Sequence, residues 1–70
     1  MNTVYPNLIR EIEHKNLSIT TISNLLRISP STVRRRLKGA TDWKLWEVGE
    51  ICQYLDNSNA TELFLRLDTN

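Results

Sequence analysis

The sequence predicts an all-α fold, a compact bundle of about five short helices. Three observations point there. Apolar residues recur at helical spacing, as in Ile22, Leu25 and Leu26 or Val33 and Leu37. Helix-start signals stand just before those stripes, namely Ser18 and the pair Ser29-Pro30, and Gly39 follows as a stop. With 70 residues, one cysteine and 40% apolar content, the chain suits one small domain with a thin core and no disulfide framework.

The first helix is expected from about Pro6 to Lys15. Proline suits the first turn, where its missing N–H costs nothing, and Leu8, Ile9 and Ile12 follow as the apolar face. Asn16 ends it. Ser18 caps a second, short helix carrying Ile22, Leu25 and Leu26. Ser29 caps the third, Pro30 to Lys38, in which Val33 and Leu37 are the buried pair and Gly39 is the C-cap. Residues 39–44 form a loop. A fourth helix runs from about Leu45 to Leu55, with Leu45, Val48, Ile51, Cys52 and Leu55 as its apolar face. Its start is poorly capped, because Lys44 stands where Ser or Thr would be three residues before Glu47. The cluster Asp56-Asn57-Ser58-Asn59 is a turn. Residues 60–65 suit a short fifth helix, while the alternation of Leu63, Leu65 and Leu67 suits a strand equally well.

Net charge is +1, but it is unevenly spread. Residues 27–44 hold Arg27, Arg34, Arg35, Arg36, Lys38 and Lys44 against Asp42, a net of +5. Residues 45–70 hold Arg66 against Glu47, Glu50, Asp56, Glu62 and Asp68, a net of −4. One concentrated basic segment in a near-neutral chain is suited to a polyanion on one side. Two short helices joined by a tight turn, the second of them basic, form a helix-turn-helix at about residues 18–38. Such a second helix is narrow enough for the major groove of B-DNA.

The segment LSITTISNLLRISPSTVRRRLKG resembles the helix-turn-helix of the lambda-repressor/Cro-like (XRE-type) DNA-binding proteins. Its strongest part is Ile28-Ser29-Pro30-Ser31-Thr32-Val33 with Leu37-Lys38-Gly39, and the likeness extends over roughly residues 6–65. The opening Tyr5-Pro6-Asn7-Leu8 is similar to small phage-type regulators of that family. The resemblance implies that Ser31, Arg34 and Arg35 face base edges, Arg34 reading a base or a phosphate. It implies that Lys38 and Thr41 lie near phosphates, and that Ser18, Thr20 and Thr21 approach one at the start of the second helix. Arg36 is expected to lay its stem at the helix edge and reach a phosphate. Three positions depart from the family pattern. Ile19 stands where Gln is usual, Ser23 where Ala is usual, and Arg27 where Gly is usual.

The functional expectation is a phage- or prophage-type regulator that binds a double-stranded DNA operator, as a homodimer, in a lysis–lysogeny-type switch. The alternative is an antirepressor that binds a partner phage repressor in a heteromeric complex. Trp43, Trp46, Leu63, Phe64, Leu65 and Leu67 are the candidate partner or dimer contacts, with residues 59–70 as the candidate contact segment. No enzyme motif is present. One His and one Cys are too few for the usual zinc sets, so neither cofactor nor metal is expected, nor a small-molecule substrate. The sequence has no secretory signal and no stretch long enough to span a membrane, so a cytoplasmic location is expected.

Overall fold

The computed structural model describes residues 4–67. It contains five helices in the order α1 (Pro6–His14), α2 (Ile19–Leu26), α3 (Pro30–Lys38), α4 (Leu45–Leu55) and α5 (Ala60–Leu63). No strand occurs among the described residues, so the Leu63–Leu67 alternation does not build a sheet. After α5 the chain runs on without regular structure, and the Leu67 N–H donates to the Val4 carbonyl at 2.7 Å.

Each boundary has a local cause. Pro6 and Pro30 occupy the first turns of α1 and α3. The hydroxyls of Ser18 and Ser29 accept from the N–H groups of Thr21 and Thr32, each at 3.1 Å, and close the starts of α2 and α3. Asn59 does the same for α5 through Glu62. Left-handed residues break the chain between helices: Asn16 (φ 55°), Arg27 (φ 57°), Gly39 (φ 80°) and Asp56 (φ 53°). Gly39 is a special case. A Cβ there would lie 2.8 Å from Val4 Cγ2 and 2.9 Å from an Arg66 nitrogen, so both conformation and space call for glycine.

Leu8 and Ile12 of α1, Ile22 and Leu26 of α2, Val33 and Leu37 of α3, Ile51 and Leu55 of α4, Leu63 of α5 and Tyr5 make up the core. α2 packs on α3 and α4, and α5 on α1 and α4. A second cluster joins the two ends of the described chain to the α3–α4 loop. Tyr5, Trp43 and Phe64 meet edge to face with ring centroids 5.6–6.4 Å apart. Arg66 lies over the Tyr5 ring at 5.8 Å and donates to the Gly39 carbonyl at 3.2 Å.

One expected interface residue is corrected by this packing. Leu63 is 2% exposed and belongs to the core. Trp43 and Phe64 are half-buried members of the aromatic cluster. Trp46, Leu65 and Leu67 are exposed. Leu45 is a further correction, since it is 88% exposed and not part of the α4 apolar face. The buried row of α4 is Glu47, Ile51 and Leu55, and Leu45 lies about 120° from Ile51 at 100° per residue.

Candidate nucleic-acid interface

The turn between α2 and α3 is held by a buried serine. Arg27 takes the left-handed conformation at the end of α2, and its N–H returns to the Ser23 carbonyl. The Ile28 N–H reaches the same carbonyl at 3.2 Å. The Ser23 hydroxyl then donates to the Ile28 carbonyl at 2.7 Å. Both polar groups of Ile28 are therefore tied to Ser23, which fixes where α3 begins. In the sequence, Ser23 stands out only as a departure from the alanine usual at its place. Its only signal was a small hydroxyl five residues before a turn, where an intrachain acceptor is within reach.

On α3, Val33 and Leu37 face the core. Ser31, Arg34, Arg35 and Lys38 are all exposed. Among the described residues Arg34, Arg35 and Lys38 form no ion pair, so their charges point to solvent uncompensated. The helix thus has small residues at its start and cations along its outer side. At the head of α2, Ser18 and Thr20 are exposed and Thr21 is half-buried, with its hydroxyl 3.0 Å from that of Ser18. Capping of the Thr21 N–H leaves the remaining first-turn amides and the positive end of the helix dipole facing outward.

Arg36 does not behave as expected. It is 8% exposed and turned into the protein. Its Nε lies 2.8 Å from Glu47 Oε1, off-axis for a hydrogen bond, and one terminal nitrogen donates to Glu47 Oε2 at 3.1 Å. The other donates to the Thr41 hydroxyl and the Asp42 carbonyl, each at 3.1 Å. The guanidinium is turned inward and paired with Glu47, so it does not face a phosphate. The reason is position: residue 36 falls three after Val33 and beside Leu37, on the inward side of the helix. Thr41 remains exposed, although its hydroxyl serves Arg36.

Glu47 completes this arrangement and was missed as a structural residue. It is 0% exposed, and its Oε1 accepts from the Lys44 N–H at 2.8 Å. One carboxylate therefore caps α4 and anchors α3. The acid three residues after the helix start was the visible signal, but nothing in the sequence named Arg36 as its partner. Elsewhere, burial pushes the Cys52 thiol upward from its ordinary value. Among the described residues no group of three His, Cys, Asp or Glu side chains could hold a metal. No helix there is long and apolar enough to cross a membrane.

No curated protein and no solved structure matched the chain significantly. The model of one family, described as the BetR domain, matches residues 8–69 and so spans α2 to α5 whole, with most of α1. With that coverage the chain belongs to the BetR domain family, a small helical regulatory domain of the DNA-binding type.

Proposed function

We propose that this protein is a transcriptional regulator that binds operator DNA by placing α3 in the major groove. The observation that carries the reading is the outer side of α3. Ser31, Arg34, Arg35 and Lys38 are exposed and free of ion pairs among the described residues, on a helix fixed from behind by Val33, Leu37 and Arg36. Arginine can bond guanine O6 and N7 together, which gives Arg35 and Arg34 the base-reading role. Lys38, Thr41, Ser18, Thr20 and Thr21 are suited to phosphates. The protein acts by binding, without catalysis. One helix in one groove gives limited affinity, so the reading includes a homodimer on two half-sites. A phage- or prophage-type switch is the proposed setting, supported by the likeness of Tyr5–Leu8 to small phage-type regulators and of residues 17–39 to the lambda-repressor/Cro-like helix-turn-helix.

A second reading, an antirepressor that grips a partner repressor, is favoured by one observation, the half-exposed Trp46 and Tyr54 on α4. A salt titration with duplex DNA separates the two. Direct binding predicts that log K falls linearly with log salt, by about 0.9 for each phosphate neutralised. Arg35→Ala should cost about 1–3 kcal/mol on the preferred site and relax sequence choice, while Lys38→Ala should weaken all sequences alike. Absence of DNA binding at low salt, together with tight binding of a co-encoded repressor, would favour the second reading.

A further inference from the structure

Helix α4 turns Glu47, Ile51 and Leu55 inward. Its opposite side carries two large apolar groups that the described chain leaves uncovered: Leu45 at 88% exposure and Trp46 at 51%. Gly49 lies between them, about 160° round the helix from Ile51 at 100° per residue. A Cβ added at Gly49 would meet nothing within 4 Å. Its φ is not positive either, since Gly39 is the one positive-φ glycine among the described residues. Neither backbone conformation nor internal packing therefore asks for glycine in mid-helix, where it weakens the helix relative to alanine. Close approach of another chain would.

Beside this row is an open hollow of about 500 Å³ lined by Leu25, Leu26, Arg27, Ile28, Trp46 and Glu50. One patch thus holds a protruding indole, an apolar recess, a cation and an anion. A surface with a knob and its own hole, and with both charge signs, is complementary to itself. That is the condition for an isologous two-fold contact, in which residue i meets j and j meets i. We propose that the outer face of α4 is where a second copy of this chain docks. The two α4 helices run antiparallel and cross near Gly49, each Trp46 enters the other copy's recess, and each Arg27 meets the other's Glu50. A helix of 11 residues is about 16 Å long. One face of it buries less than the roughly 1,200–2,000 Å² of a stable interface, so the pair is weak in free solution. Two half-sites on DNA would complete it. The inference takes from the proposed function only its dimeric part, and its test needs no DNA.

The test is sedimentation equilibrium of the intact chain from micromolar to millimolar concentration. The expected result is a reversible monomer–dimer equilibrium. Trp46→Ala and Gly49→Gln should each weaken it by roughly tenfold or more, and Leu65→Ser, outside the patch, should leave it unchanged. Gly49→Gln puts a good helix former where space is open, so loss of folding does not obscure the result, and circular dichroism checks this. A chain that stays monomeric at every concentration overturns the proposal. So does a dimer weakened by Leu65→Ser and not by Gly49→Gln. DNA binding that persists in a strictly monomeric protein would sink this interface and the homodimeric part of the proposed function, and leave DNA binding by α3 standing.

Discussion

Removing the Glu47 carboxylate strands the Arg36 guanidinium in a site that is 8% exposed. An unpaired buried charge is costly, so Glu47→Ala should lower stability by about 3–5 kcal/mol, which urea unfolding would measure. That is a large share of what a domain this small has. The opposite sign is expected at Arg27, which holds φ 57° without glycine's freedom. A left-handed side-chain-bearing residue costs about 1–2 kcal/mol, part of which glycine gives back through its looser unfolded chain. Arg27→Gly should therefore raise stability by about 0.5–1 kcal/mol, read as a higher urea midpoint at unchanged slope. The special conformation at Arg27 was signalled by the resemblance, since the lambda-repressor/Cro-like pattern usually has Gly at that place. The inward course of Arg36 was not. Three consecutive arginines look alike, and only the partner on another helix distinguishes one of them.

At the scale of elements, the start signals carry energy that can be measured. The Ser29 hydroxyl is the acceptor for the Thr32 N–H at the head of α3. Ser29→Ala should cost about 1 kcal/mol, and hydrogen exchange of the first-turn amides of α3 should quicken more than exchange in α4. Signals of this local kind explain why α3 and α4 were readable to the residue. Pro30 and Gly39 bracket one, and the apolar spacing with the Asp56–Asn59 cluster brackets the other. The C-terminal segment was ambiguous for a physical reason. Leu63 enters the core from a single helical turn, while Leu65 and Leu67 stay exposed on irregular chain. Six residues cannot reveal by periodicity alone which of these applies. The α4 face was misjudged at Leu45 because the first member of its buried row is an acid, Glu47, which a search for apolar residues passes over.

For the whole molecule, the basic segment written along the sequence leaves fewer free cations than a count suggests. Arg36 is neutralised by Glu47, and Arg66 lies 3.5 Å from Asp42. Arg34, Arg35 and Lys38 remain as the outward charges of α3. The core and the Arg36–Glu47 pair both hold this helix from behind. The most direct test is a ¹⁵N-resolved NMR titration of the folded protein with duplex DNA at low salt. The account predicts that amide shifts concentrate at residues 18–21 and 31–41 and fade as salt is raised. Shifts confined to Trp46–Tyr54, or none at all with DNA in excess, would contradict it.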